Sequence, residues 1–254
     1  MELTLTLILL LGLVVLATQT LEGITGFGST VLAVPFLAML LGGFDKAVPL
    51  SAAHTWLLAG YFVVVSRKHI VWKEFGFIAL YVLLGLPIGY LLFKNLEETY
   101  LKGILSLFTI GVGVYGIRAT LRSRQVKASA QPVKKSLLMR FLLFLGGIIH
   151  GAFASGGPFV VIYASQALKE KTLFRVSICL LWLCLNTILL ATWIVDGTWT
   201  RETNDLMLVT LPFLLFGIIA GDWLHHRVSE YAFRLIVFAL LLGTGVVLMY
   251  GVLV

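Results

Sequence analysis

Leu21–Thr30 reads LEGITGFGST, and Ile149–Pro158 reads IHGAFASGGP. The two stretches are copies of one pattern. Each has an ionisable residue, Glu22 or His150, followed at once by a glycine and then by a second cluster of small residues, all within long apolar sequence. Gly23 and Gly28 align with Gly151 and Gly156 at a common offset of 128 residues. Further along, Gly85, Gly89, Leu92, Glu98, Lys102, Gly111 and Gly113 recur 132 residues later as Gly217, Gly221, Leu224, Glu230, Arg234, Gly243 and Gly245. A weak internal repeat of this kind is what many transporter folds carry. The chain divides into halves 1–118 and 137–254 with a basic linker, 119–136, between them.

The surroundings of the two copies set the solvent. Of 254 residues, 59% are hydrophobic and 12% charged, and the mean hydropathy is +1.01. A soluble domain could not cover that much apolar surface with so few charges. Phe75–Phe93, Ala47–Ser66, Val176–Val195 and Leu235–Val254 each run without Asp, Glu, Lys or Arg. Each is close to the roughly 20 residues that a helix needs to cross the hydrocarbon core. Spanning strands are shorter and alternate in polarity, which excludes a barrel. The N-terminus, MELTLT, has no basic region before its apolar run and reads as a retained membrane segment. Cys179 and Cys184 lie inside one apolar stretch and read as packed thiols, not as a disulfide or metal pair.

Five apolar pieces can be cut from each half, at about 3–21, 24–43, 47–66, 75–93 and 99–117, then 137–150, 156–168, 174–195, 206–224 and 232–254. Between Arg140 and Lys169 lie 28 residues free of these charges, or roughly 42 Å of helix, where two crossings need roughly 60 Å. The first two pieces of the second half therefore predict a re-entrant hairpin. The first half has room for two spans, and symmetry favours a hairpin there too. Either way each half crosses an odd number of times, so tandem copies must sit inverted. The expected fold is an all-α integral membrane protein of two inverted-topology repeats, each a glycine-broken re-entrant hairpin plus three transmembrane helices.

Charge sets the orientation. The net charge of +7 sits in short loops, so it reads as a topology signal and not as a nucleic-acid footprint. With the linker in the cytoplasm, fifteen of the nineteen Lys and Arg residues fall on that side, among them Arg124, Lys127, Lys134, Arg140 and Arg175. Lys46, Lys94, Lys102 and Arg201 remain outside, and both termini face outward.

The glycine breaks are the candidate site. Unpaired backbone cannot face lipid, so an unwound stretch at membrane depth must face protein or a watery cavity. After each break a helix begins, at Ser29-Thr30-Val31 and at Pro158-Phe159-Val160. Pro158 suits a first turn that has no amide bond to make. Helix starts present free N–H groups and partial positive charge, so two of them facing each other would hold an anion without a membrane-embedded cation. The predicted binding residues are Gly26, Gly28, Ser29, Thr30, Ser155, Gly156 and Gly157. Single glycines such as Gly85 and Gly217 are better read as close helix contacts. Glu22 and His150 occupy equivalent positions and are candidates for proton coupling, against a structural hydrogen bond as the plain alternative. His54 and Asn186 are candidates for lining the cavity, against simple interhelical bonds. No HExxH, no CxxC and no defensible Ser-His-Asp order occurs, and GFGSTV lacks the P-loop lysine. No cofactor, metal or catalysis is expected.

The segments GITGFGSTVLAVP and GAFASGGPFVVIY, with the glycine pairs of LLGLPIGYLL and LFGIIAGDWL, resemble the TauE/SafE family of sulfite exporters and related permeases over nearly the whole chain. The first copy departs from the family's run of consecutive glycines at Ser29 and Thr30. The resemblance implies secondary transport of sulfite or an organosulfonate such as sulfoacetate, usually outward, across a bacterial inner membrane. The competing readings are an uptake permease for another small organic anion, a non-transporting accessory membrane protein, and an intramembrane enzyme using Glu22 and His150. The expected partners are the lipid bilayer and a small anion, with a homodimer as the default assembly.

Overall fold

The computed structural model describes residues 4–123, 135–225, 227 and 230–253. Arg124, Lys127 and Lys134 of the basic linker lie outside the described residues, as do His226 and the side chains of Glu230 and Arg234. Among the described residues all regular structure is helical. The helices are α1 (Leu5–Thr25), α2 (Ser29–Leu41), α3 (Phe44–Ser66), α4 (Trp72–Asn95), α5 (Glu98–Ser123), α6 (Leu137–Phe153), α7 (Gly157–Ala167), α8 (Lys171–Val195), α9 (Arg201–His225) and α10 (Glu230–Leu253), with a 3-10 turn at Arg67–His69. α5 thus continues five residues past the sequence boundary at 118.

The same local chemistry starts and stops corresponding helices in the two halves. Thr4 and Ser136 cap α1 and α6, their hydroxyls accepting from Leu7 N at 3.3 Å and Met139 N at 3.4 Å. At the other end Gly26 and Ala154 turn left-handed, at φ 84° and 51°, and their amides donate to the carbonyls of Glu22 and His150 at 2.5 and 2.7 Å. The breaks are therefore Gly26–Gly28 and Ala154–Gly156. They are narrower than the sequence suggested, because Gly23 and Gly151 stay inside their helices.

Six helices are long and apolar enough to cross a membrane, namely α1, α3 with its 3-10 extension, α4, α5, α8 and α9. α1, at 21 residues, extends roughly 31 Å, whereas α2, α6 and α7 reach only roughly 20, 26 and 17 Å, against a hydrocarbon core of about 30 Å. Over its most apolar stretch α3 is 61% buried and α8 50%, against 28% for α4. α3 and α8 therefore form the centre, and α4 turns Leu80, Leu84, Ile88 and Leu91 outward. An apolar stripe of that size suits contact with lipid.

Helix directions follow from paired contacts. Gly12 faces Phe213 and Gly23 faces Gly221, so α1 and α9 run parallel. α3 runs parallel to α9 as well, with Lys46–Glu202 at 2.9 Å and His54–Thr210 at 2.8 Å. Gly85 faces Phe144 and Gly89 faces Ile148, aligning α4 with α6. α4 also aligns with α8, through Val71 N on Ser177 at 3.1 Å and Lys94 on Asp196 at 2.9 Å. α3 and α8 are antiparallel, with Trp56 on Thr187 at 2.8 Å and Arg175 over the Phe62 ring at 4.2 Å. α5 and α10 are antiparallel too, Gly113 facing Leu242 and Gly116 facing Phe238. So α1, α3 and α9 run one way, and α4, α6 and α8 the other.

Candidate functional site

The two breaks meet. The Thr30 hydroxyl, in the first turn of α2, donates to the carbonyl of Ala154 in the second break at 2.7 Å. Trp182, on the central helix α8, joins them a second time. Its indole N–H donates to the Gly26 carbonyl at 2.9 Å, and its ring stacks on His150 with centroids 5.1 Å apart and planes 8° from parallel. Phe27 lies against Gly157, as a Cβ there would sit 3.6 Å from the Phe27 side chain. Gly26, Gly28, Thr30, Ser155, Gly156 and Gly157 thus belong to one junction drawn from both halves.

The hydroxyls at this junction are already committed to protein acceptors. Ser155 donates to the Phe153 carbonyl at 2.7 Å, Thr30 to Ala154, and Ser29 to the Glu22 carboxyl. Backbone amides are what the junction has left to offer. The first ladder bonds of α2 and α7 are Leu32 N to Gly28 O at 3.3 Å and Val160 N to Gly156 O at 3.4 Å. The amides before them, at Ser29, Thr30 and Val31 and at Gly157 and Phe159, have no intrahelical acceptor. Neither Gly28 nor Gly156 supplies a side-chain cap. A Cβ placed on Gly28 would meet nothing within 4 Å, so the first break borders open space.

Glu22 and His150 do not bond each other. Glu22 is buried at the end of α1, where its Oε2 takes the Ser29 hydroxyl and the Thr55 hydroxyl of α3 at 3.2 Å, while Ser29 and Thr55 lie 2.9 Å apart. His150 is buried at the end of α6 and meets Asn186 of α8, Nε2 to Oδ1, at 3.1 Å. Each ionisable residue is therefore held by a polar group on the central helix of its own half. His54 bonds Thr210 of α9 and lies in a separate contact from the breaks.

Thr55, Trp182 and Arg175 are members of this neighbourhood that sequence reasoning missed. Arg175 is 5% exposed, and its Nη1 donates to the Gly23 carbonyl at 2.9 Å and to Asp222 at 3.0 Å. It closes over the end of α1, where a Cβ on Gly26 would lie 2.9 Å from the Arg175 Cα. A buried arginine is costly in a membrane and persists here through a carbonyl, a carboxylate and the face of Phe62. The one local signal was the spacing of Trp182 and Asn186, which puts them one turn apart on the same face of α8.

This arrangement of membrane-crossing helices around two interrupted ones defines a transporter-like membrane protein. The family model for "Sulfite exporter TauE/SafE" matches residues 10–248, and the chain belongs to that family. A curated relative, the "Probable inner membrane transporter protein TsaS" of Comamonas testosteroni, is 26% identical over 182 residues, which cover 71% of this chain and 73% of that protein. Family and relative place the chain among membrane transporters. No solved structure matches it.

Proposed function

We propose that the chain is a secondary transporter of small sulfur-containing oxoanions, sulfite or an organosulfonate such as sulfoacetate, that exports them by alternating access. The observation that carries this reading is the direct bond between the breaks, Thr30 to Ala154 at 2.7 Å. It brings two uncapped helix starts to one place, and paired helix starts hold an anion through backbone amides and the partial charge of the helix ends.

The proposed architecture is two inverted repeats with a re-entrant pair in each, α1–α2 and α6–α7. Opposed directions support it, since α1 and α3 run against α6 and α8. The short lengths of α2, α6 and α7 support the re-entrant pairs. Inversion places equivalent helices on opposite faces of one site, which is the geometry alternating access uses. In this reading the basic linker, 119–136, is cytoplasmic and both termini are outside, in a bacterial inner membrane, with a homodimer as the assembly. Proton coupling falls to Glu22 and His150, the ionisable residues one position from helices that must rearrange.

Purified protein titrated with sulfite, sulfoacetate, taurine and a carboxylate control, followed by thermal unfolding, tests the substrate class. Stabilisation by the sulfur oxoanions and not by the carboxylate is the expected result. A ligand at 100 times its dissociation constant adds about 2.7 kcal/mol, an easily measured rise in unfolding temperature. Stabilisation by the carboxylate alone would move the assignment to organic acids.

A further inference from the structure

Two polar side chains beside the second break leave hydrogen-bonding atoms unused. His150 and Asn186 are 1% and 0% exposed, and their Nε2 and Oδ1 atoms meet at 3.1 Å. Among the described residues, His150 Nδ1 and Asn186 Nδ2 have no partner. Buried polar atoms of folded proteins are nearly always satisfied, so orphans of this kind call for a water or a ligand. These lie at a helix start. A Cβ on Gly156, the residue that precedes α7, would lie 2.8 Å from the His150 Cβ. Trp182 covers one face of the imidazole, so a ligand meets the ring at its edge, through Nδ1.

The donor and acceptor count selects the ligand. Nε2 faces a carbonyl oxygen and so carries the proton, which leaves Nδ1 of a neutral ring as a lone-pair acceptor. Asn186 Nδ2 is a donor. Turning the amide over reverses every role: Nε2 accepts, Nδ1 donates and Oδ1 accepts. Either way the pair presents one donor and one acceptor. A fully deprotonated oxoanion can use only the donor and would leave the acceptor facing a lone pair. An oxoanion that keeps one hydroxyl hydrogen uses both.

We infer that His150 and Asn186 together recognise the hydroxyl-bearing monoanion of a small oxoacid, hydrogensulfite in its HO–SO2− form, in preference to the sulfite dianion or to a sulfonate. The inference rests on the anion reading above and refines it. The hydroxyl of the anion donates to one atom of the pair, one of its oxygens accepts from the other, and the amides of α7 face the remaining charge. The other ionisable groups of the core are bonded elsewhere. Glu22 is held by Ser29 and Thr55, His54 by Thr210, Arg175 by Gly23 and Asp222, and Tyr163 by Glu74. Tyr90, on α4 against α6, donates to Asp196, and Cys179 is a buried thiol on α8.

The test compares two ligands on the purified, full-length protein. Methanesulfonate is a monoanion with no hydrogen to donate. Dissociation constants for it and for sulfite are measured by calorimetry over about pH 5 to 8, a range in which histidine itself titrates. The ratio of the two constants at each pH removes protonation of the protein that affects both ligands alike. Sulfite is expected to bind at least about tenfold more tightly than methanesulfonate at the acid end, and its advantage to shrink as hydrogensulfite is lost with rising pH; tenfold corresponds to 1.4 kcal/mol. Asn186→Leu should bring the ratio close to one, and if that variant does not fold, the wild-type ratios still decide. A ratio that is flat with pH while both ligands bind overturns the inference and leaves the anion site standing. A wild-type ratio in folded Asn186→Leu also overturns it. Binding of neither ligand overturns the inference and the anion reading together.

Discussion

Ala154 ends α6 at φ 51° and is the only non-glycine with positive φ among the described residues, while Gly26 ends α1 in the same way at φ 84°. Left-handed backbone costs an L-residue roughly 1–2 kcal/mol that glycine does not incur. Ala154→Gly should therefore raise the unfolding temperature in detergent, or at least not lower it. Gly26→Ala should lower it by more than the strain alone, because its Cβ would sit 2.9 Å from Arg175. Thermal unfolding of the two variants checks both directions, and a clear loss in Ala154→Gly would mean that the alanine methyl packs better than the strain costs. Much of the residue-level site was legible because glycine clusters and a lone Glu or His in apolar sequence announce themselves locally. Thr55 and Trp182 were not, since nothing in the neighbouring sequence says what a single polar or aromatic side chain on a buried helix will touch. Arg175 was read as loop charge because it follows Lys169 and Lys171. α8 already begins at Lys171, which puts Arg175 one turn inside and pointing at α1.

Glycine has two different jobs along these helices. On the α4–α6 and α1–α9 seams it permits backbone contact: a Cβ on Gly147 would collide with the Val82 carbonyl and one on Gly89 with that of Ile148. Gly111, on α5, has nothing within 4 Å of its Cβ position. Gly147→Ala should cost about 1–3 kcal/mol, as overpacking does, whereas Gly111→Ala should gain about 0.4–1 kcal/mol by restricting the unfolded chain. Paired denaturation curves would separate them, and equal effects would dissolve the distinction. The sequence showed both glycines repeated at the same offset and could not rank them, because close approach depends on the partner helix. It also placed the first break too early. Gly23 looks like part of the interruption, yet glycine is tolerated inside membrane helices, and the last turn of α1 runs through it to the Gly26 cap.

On the whole molecule, the two halves are tied at both ends of the bundle. Beyond the end of α8, Asp196 takes hydrogen bonds from Tyr90 and Thr198 and an ion pair from Lys94. Burial alone would raise its pKa, but the bonds from Thr198, Tyr90 and Lys94 outweigh burial and hold the carboxyl below the ordinary range. Because the folded carboxyl is the stronger acid, its contribution is complete above the ordinary value of about 3.9 and is lost as pH falls through the lower folded value. The wild type should therefore lose thermal stability below about pH 4 more steeply than Asp196→Asn does. Parallel slopes would remove Asp196 as the cause. At this scale the sequence was most informative. The offset of 128 residues that it revealed relates Thr25, the last residue of α1, to Phe153, the last of α6, and Ser29 to Gly157 at the starts of α2 and α7. The lateral arrangement, with α3 and α8 at the centre and each interrupted helix sealed against the other half, was not legible, because hydropathy marks membrane depth and not neighbours.

The proposal stands on the anion meeting the protein at the paired breaks, and sulfite flux through liposomes containing wild type or Gly28→Leu tests that most directly. Gly28 is at φ 101° and its Cβ position is open, so a leucine there fills the break at the cost of local strain and without displacing a neighbour. Gly156→Leu would be a poorer choice, since its Cβ collides with the Gly146 carbonyl. Wild-type protein should move sulfite, and Gly28→Leu, inserted and folded, should move it more than about tenfold more slowly, a loss of at least 1.4 kcal/mol in stabilisation. Flux at the wild-type rate through Gly28→Leu would contradict the placement of the anion at the breaks.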